Sequence, residues 1–188
     1  MMKKIVVFAL IAFSLKGFSQ DASVEKSIYG IQTGLLGVWA NNESKLANKF
    51  SLRSEIGIEM GFVTYYSNGN KKTTIVGVPT ISVEPKWYYN LNKRNAKGKN
   101  INKNSGNFFS IKTLYVPDFF LITNIDNLNV VDQIALIPKW GIRRVYGQHF
   151  TFETGFGLGP IIYLDNTDKT IEKNDIYPDL HLRIGYTF

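Results

Sequence analysis

The chain has 188 residues, with 22 lysines and arginines against 15 aspartates and glutamates, and it has no cysteine. Its length predicts a single domain of ordinary size. The lack of cysteine excludes disulfide bonds, thiolate metal sites and the lipid anchor of a lipoprotein, which needs a cysteine at its processing site.

The N-terminal residues follow the order of a secretory signal peptide. Lys3 and Lys4 precede an apolar run at residues 5–15, and small residues follow it at Gly17 and Ser19. This run is shorter than the ~20 apolar residues that a membrane-spanning helix needs, and no later segment approaches that length. The pattern therefore indicates export rather than a helical membrane anchor.

We predict that the signal peptide covers residues 1–19 and is cleaved before Gln20 or Asp21, which leaves one domain at residues 20–188. Loss of the three lysines in the signal peptide lowers the formal net charge from +7 to +4. The basic character of the whole chain is therefore partly a targeting signal.

Apolar and polar residues alternate repeatedly along the remaining chain, over lengths of about ten residues. This alternation predicts β-strands whose two faces meet different environments. It is strong at residues 50–62, 80–89, 133–143, 150–162 and 179–188, and weaker at residues 28–40 and 108–121. No segment has a convincing helical pattern, so the predicted fold class is all-β.

The polar faces of these strands carry charged residues beside glycines. Because the two signs are nearly balanced, we predict an ion-paired charge network inside a closed barrel. Glycines on the same face fit a narrow barrel, in which large side chains from facing strands would collide. The predicted network comprises Arg53, Glu55, Glu59, Glu84, Lys86, Lys139, Arg143, Glu153 and Arg183, with Lys112 and Asp179 on the same face.

The apolar faces are rich in aromatic residues near the predicted strand ends. These residues are Tyr29, Trp39, Trp87, Tyr89, Phe109, Trp140, Tyr163 and Tyr186. Aromatic side chains favour the interface between a membrane and water, so the pattern favours a barrel with a lipid-facing outer surface. The alternative is a soluble β-sandwich with an aromatic core, because its strands also alternate.

The C-terminal strand has the clearest alternation in the chain. Its apolar face consists of Leu180, Leu182, Ile184, Tyr186 and Phe188. This ending resembles the terminal strand of bacterial outer-membrane β-barrels, which finishes in an aromatic residue after apolar residues at every second position. In that family the barrel assembly machinery recognises this ending, and the resemblance implies that these five residues form an assembly signal.

The resemblance extends over residues 29–188, through the segments 42–46, 84–90 and 141–144. These segments are similar to a family of uncharacterised small outer-membrane β-barrel proteins of Gram-negative bacteria, with a porin-like, up-and-down transmembrane architecture. The resemblance implies a place in the cell outer membrane, in contact with outer-membrane lipid and lipopolysaccharide. It supplies no catalytic motif and no cofactor.

Single-chain bacterial barrels have an even number of strands because both chain ends lie on the periplasmic side. We therefore expect eight strands, with the eighth either before Ile28 or between Phe62 and Thr80. Counting back from a periplasmic C-terminus gives the side of each connection. It places residues 67–73, 122–130 and 165–176 outside the cell, and residues 90–107 and the turn Gly147-Gln148-His149 in the periplasm.

Two connections contain clustered charges. The stretch 90–107 is basic through Lys93, Arg94, Lys97, Lys99 and Lys103 and contains no acidic residue. It is either a solvated, flexible connection or a contact for anionic glycan or lipid phosphate. It lacks the interleaved aromatic residues that stack nucleic-acid bases, so no nucleic-acid partner is predicted.

The other charged connection contains Asp165, Asp168, Glu172 and Asp175. Carboxylates of this kind could bind calcium, but these lack the ligand spacing and the central glycine of an EF-hand. We interpret them as solvated loop charges, and no metal site is predicted.

Three alternatives for a small barrel are a pore, an enzyme and a soluble secreted protein. A water-filled pore needs about sixteen strands, more than this chain can form. A small barrel enzyme acting on lipid A or another acyl chain could use His181 with Ser82 and Glu84, if their strands met across the lumen. A soluble secreted barrel would have to bury its apolar faces inside. The sequence favours a non-enzymatic, monomeric barrel with a structural role or with recognition through its loops.

Overall fold

The computed structural model describes residues 22–67, 69–125, 128, 130–164 and 175–188. The predicted signal peptide at residues 1–19 lies outside the described residues. None of the helices in the described part of the chain has the length and hydropathy that crossing a bilayer requires.

Eight antiparallel strands form a closed up-and-down barrel, so the predicted all-β fold class and strand number are confirmed. Each strand pairs with its neighbours in the chain, and the last strand pairs with the first. The strands are β1 (Ser27–Gly34), β2 (Gly37–Ala47), β3 (Phe50–Ser67), β4 (Asn70–Trp87), β5 (Asn107–Val116), β6 (Gln133–Tyr146), β7 (Phe150–Tyr163) and β8 (Ile176–Thr187). The closed ring excludes the alternative of a β-sandwich.

The predicted position of the eighth strand is wrong. The weakly alternating segment 28–40 contains a turn at residues 35–36 that divides it between β1 and β2. Residues 62–80 hold no separate strand, because β3 and β4 extend through them and meet in a hairpin beyond Ser67. The sequence analysis missed this turn because Leu35 and Leu36 are apolar, whereas turns are usually marked by polar residues.

The two ends of the barrel are different. The terminal end carries the chain from residue 22, the turn at 48–49, the stretch 88–106, the turn at 147–149 and Phe188. The distal end carries the turn at 35–36, the β3–β4 hairpin and the connections β5–β6 and β7–β8. The connections that we predict to be periplasmic therefore share one end, and those that we predict to be external share the other.

The stretch 90–107 contains helical structure, so the expectation that no segment of the chain is helical is wrong here. It contains the short helix α1 (Leu91–Ala96) and a 3₁₀ helix (Asn102–Asn104). Leu91 packs with Ala22, Val24, Tyr88 and Phe108 in an apolar cluster that covers the terminal end, which we call the terminal plug. Burial within this plug raises the pKa of Tyr88 well above its ordinary value.

Outward side chains are mostly apolar, and inward side chains are mostly polar or charged. Along β8, for example, Leu180, Leu182 and Ile184 are exposed, whereas His181 and Arg183 are buried. This is the reverse of the arrangement in a water-soluble barrel with an apolar core. A second inward apolar cluster lies toward the distal end and contains Leu114, Val116, Ala135 and Ile137.

Trp39 corrects the prediction that every aromatic residue of the apolar set faces outward. Its side chain lies inside the barrel and is only 5% exposed. Room for the indole depends on Gly57 of β3, where an added Cβ would lie 2.5 Å from the carbonyl oxygen of Val38 and closer still to the indole. Position 57 therefore has to be glycine for Trp39 to turn inward.

We expect Gly57→Ala to destabilise the barrel by about 1–3 kcal/mol, because the added methyl group overpacks the lumen. Gly61→Ala is the matched control on the same strand, since its added Cβ would meet only Val76, at 3.9 Å. The free energy of unfolding of the two variants, measured by urea titration of refolded protein, tests the prediction. Equal stability of the two variants would contradict it.

Candidate functional site: the charged lumen and a gap in the wall

The structure places the predicted charge network inside the barrel. Glu59 is partly buried, and the other eight residues of the predicted set are buried. Lys112 and Asp179, which we expected on the same strand faces, are also buried there. Among the described residues the inward set has six basic and six acidic members, so its formal charges cancel when His181 is neutral. The basic members are Arg53, Lys86, Lys112, Lys139, Arg143 and Arg183, and the acidic members are Glu43, Glu55, Glu59, Glu84, Glu153 and Asp179.

Glu153 of β7 is the centre of the first group of ion pairs, near the terminal plug. Arg53 of β3 donates two hydrogen bonds to its carboxylate, at 2.9 and 2.8 Å. Lys86 of β4 and Arg143 of β6 each donate another, both at 3.1 Å. The Glu153 carboxylate therefore links β7 to its neighbour β6 and to β3 and β4 on the opposite wall.

Glu43 of β2 belongs to the same group and was missed by the sequence analysis. Its carboxylate lies 3.5 Å from the guanidinium of Arg53 and accepts hydrogen bonds from Ser51 and Asn104 at 2.8 and 2.6 Å. Asn104 lies in the 3₁₀ helix of the terminal plug. The sequence pattern that would identify Glu43 as an inward residue is weak. The outward face of β2 is polar at Asn42 and Ser44, so apolar and polar residues do not alternate there.

Asp179 of β8 is the centre of the second group, toward the distal end. Its carboxylate lies 3.1 Å from the ammonium of Lys139 and 3.4 Å from that of Lys112. Lys112 also pairs with Glu59 of β3 at 3.3 Å. Side chains from opposite walls therefore meet in the lumen at this level too, which matches the expectation that a barrel of eight strands is filled by its own side chains.

His181 lies between the two groups. Its Nδ1 is 3.2 Å from the Asp179 carboxylate, and its Nε2 is 3.6 Å from that of Glu153. Ser82 and Glu84 lie on β4, which faces β8 across the eight-stranded ring. Among the described residues, however, the contacts of His181 are with Asp179 and Glu153, and neither Ser82 nor Glu84 forms a hydrogen bond or an ion pair with it.

The other predicted groups occupy the barrel ends. Asp165, Asp168 and Glu172 lie outside the described residues, while Asp175 accepts a hydrogen bond from Tyr163 at 2.6 Å. No group of metal-ligating side chains is found among the described residues.

In the basic stretch, Lys93, Arg94, Lys97 and Lys99 line a groove of about 440 Å³ together with Arg144. Lys103 instead points to the barrel and donates to the carbonyl oxygen of Thr187 at 3.0 Å.

The five residues of the predicted assembly signal face outward on β8 and are exposed. Phe188 is held at the seam between β8 and β1 through its backbone, whose N–H donates to the carbonyl oxygen of Tyr29 at 2.9 Å. Its ring contacts that of Tyr186 with centroids 5.1 Å apart. The Phe188 side chain therefore lies on the outer surface and does not enter the lumen.

Among the described residues, the barrel wall has a gap above the β1–β2 turn. β1 ends at Gly34, opposite Arg183 of β8, so the described part of β8 before Arg183 has no partner on β1. On the other side, the pairing of β3 with β2 ends at Glu59 opposite Gly37. A cavity of about 370 Å³ lies at this gap, between the outer surface and the lumen.

Comparisons of the chain with protein-family models, with curated proteins and with solved structures found no match. The interpretation of its function therefore depends on the geometry of the barrel.

We expect Glu153→Gln to destabilise the barrel by about 3–5 kcal/mol, because three buried cations lose the carboxylate that neutralises them. Asp118→Asn, which makes the same chemical change at an exposed position, is the control. Urea unfolding of both variants in the same detergent measures the difference. A Glu153→Gln barrel as stable as Asp118→Asn would show that the ion pairs contribute little.

Proposed function

We propose that this protein is a monomeric transmembrane barrel of the bacterial outer membrane, with an ion-paired lumen and a structural or recognition role carried by its loops. The observation that supports this most strongly is the inverted distribution of side chains, with leucine, isoleucine and aromatic residues outside and charges inside. Lipid is the solvent in which such a surface is stable, and water is not.

The height of the apolar surface supports a membrane location. The outward apolar face of β8 runs from Ile176 to Phe188. At about 3.3 Å per residue and a tilt of about 40°, that length spans roughly 30 Å, comparable with a bilayer core. Pairing of β8 with β1 from Arg183 onward also closes the ring and satisfies the strand edges there, as lipid requires of a spanning sheet.

An aromatic belt surrounds the terminal end and supports the same proposal. Phe50 stacks on Trp87, and Trp87 stacks on Phe109, each pair with ring centroids 6.3 Å apart. Tyr89 accepts a hydrogen bond from the Trp140 indole at 3.1 Å. Rings with a polar tip favour the boundary between lipid and water, so this belt fits one face of a membrane.

The proposal includes export through the signal peptide at residues 1–19 and no enzymatic activity. The displayed apolar faces argue against the alternative of a soluble barrel, which would need them inside. Ion pairs that cross the lumen argue against a wide pore. The alternative that the barrel binds acyl chains is supported by one observation, the cavity at the gap in the wall.

We expect the mature protein in the outer-membrane fraction, with a mobility on unboiled gels that differs from its mobility after boiling, because a closed barrel resists unfolding in mild detergent. The measurement is membrane fractionation followed by electrophoresis with and without boiling. Mass determination of the same sample would place the mature N-terminus at Gln20 or Asp21. Soluble periplasmic protein without a mobility shift would refute the proposal.

We expect Phe188→Ser to reduce assembly in cells while leaving refolding of the purified chain in detergent nearly unchanged. The reason is that the Phe188 ring lies on the outer surface and its backbone hydrogen bond does not depend on the side chain. Phe188→Trp keeps the aromatic ending and is the control. Outer-membrane yield and refolded fraction are the two readouts, and equal losses in both would indicate a stability effect instead of recognition.

A further inference from the structure

The gap between β3 and β8 has an apolar mouth on the outer surface. Leu35 and Leu180 at its rim are each 81% exposed, the highest exposed fraction of any large hydrophobic residue described. Leu36, Met60 and Leu182 continue the rim. Three strand spacings of about 4.8 Å place the backbones of β8 and β3 roughly 14 Å apart at the gap. A hydrogen bond from the Tyr177 hydroxyl to the Glu59 carboxylate links the two strands across it.

The inner wall of the cavity carries polar groups that lack partners. Trp39 and Arg183 line it and are 5% and 4% exposed, and the Trp39 Nε1 and Arg183 Nε donors make no hydrogen bond within the described residues. The side-chain amide of Gln32, which lies opposite Trp39 in the strand register, is also buried without a partner. Buried donors of this kind cost free energy unless an acceptor reaches them.

These donors are held in fixed positions. The guanidinium of Arg183 lies over the Trp39 ring, 3.7 Å from its centroid, and donates from Nη1 to Glu55 at 2.8 Å. Gly34, Gly37 and Gly57 surround the indole closely. Since Glu55 engages Nη1, the Nε donor of Arg183 is left without a hydrogen-bond partner among the described residues, as is the indole N–H of Trp39.

We propose that the gap admits one acyl chain from the surrounding lipid, whose carboxyl or ester oxygens accept hydrogen bonds from Trp39 and Arg183. The leucine rim and Met60 contact the methylene groups, and the polar inner wall receives the oxygens. A cavity of about 370 Å³ falls within the range of small-ligand sites. Its apolar mouth leads to a polar inner wall, in which Lys112 is already paired with Glu59 and Asp179. This inference rests on the proposed function, because only a membrane presents acyl chains at the rim.

The test uses the mature chain with Trp87→Phe and Trp140→Phe, so that Trp39 is the only tryptophan. The barrel is refolded in detergent, its heat-dependent mobility is verified, and Trp39 fluorescence is titrated with a dibrominated fatty acid, since bromine quenches an indole in contact. We expect saturable quenching at one fatty acid per barrel, reversed by the unbrominated acid. A dibrominated methyl ester distinguishes a free fatty acid from the esterified acyl chain of a lipid. If the ester also binds, the site recognises any acyl carbonyl.

Two pairs of substitutions locate the site. Leu36→Phe with Met60→Phe narrows the mouth and should abolish the saturable quenching. Val83→Phe with Ile111→Phe makes the same change at exposed outward positions of β4 and β5 and should leave it intact. Quenching that does not saturate, that persists in the narrowed barrel, or that a bromoalkane without oxygens reproduces would overturn the inference.

The two proposals can fail separately. A heat-modifiable barrel in the outer membrane whose Trp39 is not quenched would overturn the acyl site and leave the membrane location intact. Saturable quenching in a barrel recovered as soluble protein would overturn the membrane location and keep a fatty-acid site at the gap.

Discussion

Neutralisation of charge inside a narrow ring is the constraint on which this structure depends. Six acidic and six basic side chains face the lumen of an eight-stranded barrel, where little water can reach them. A buried charge without a partner costs several kcal/mol, so the charges must meet across the lumen. Glu153 shows how this is done, because its carboxylate binds Arg53 and Lys86 of the opposite wall as well as Arg143 of the adjacent strand. The strand registers that close the ring are those that bring these partners together.

The apolar clusters at the two ends of the lumen complete this arrangement. The terminal plug packs Tyr88, Leu91 and Phe108 on one side of the ion pairs, and the cluster around Leu114 and Ile137 lies on the other. Excluding water from both ends lowers the effective dielectric constant and strengthens the charge–charge interactions between them. The long connection between β4 and β5 is folded for this reason, since it carries Leu91 into the plug and Asn104 to Glu43.

Unequal strand lengths leave parts of the described wall incomplete toward the distal end, and one of these is the gap beside the β1–β2 hairpin. β1 has 8 residues, whereas β3 and β4 have 18 each. The short β1–β2 hairpin stops at the level of Glu59, and the wall above it is open between β3 and β8. The exposed leucines at that edge and the unpartnered donors behind it lie together for this geometric reason.

The sequence by itself determined the fold class and the direction of most side chains. Alternation depends only on the period of a strand, so five strongly alternating segments were sufficient to predict a barrel with charges such as Arg53 and Glu153 on one face. The even-strand rule then predicted eight strands. It could not place the eighth, because the turn residues Leu35 and Leu36 are apolar and lack the polar side chains that usually mark a turn.

Only the tertiary structure decided which charges pair, where Trp39 points and where the wall is open. Pairing depends on which strands face each other across the ring, and the 100 residues between Arg53 and Glu153 in the chain carry no signal of that. Trp39 turns inward because glycine at position 57 of the next strand leaves room for it. The gap results from the difference in length between adjacent hairpins, and it becomes visible only when the first and last strands meet.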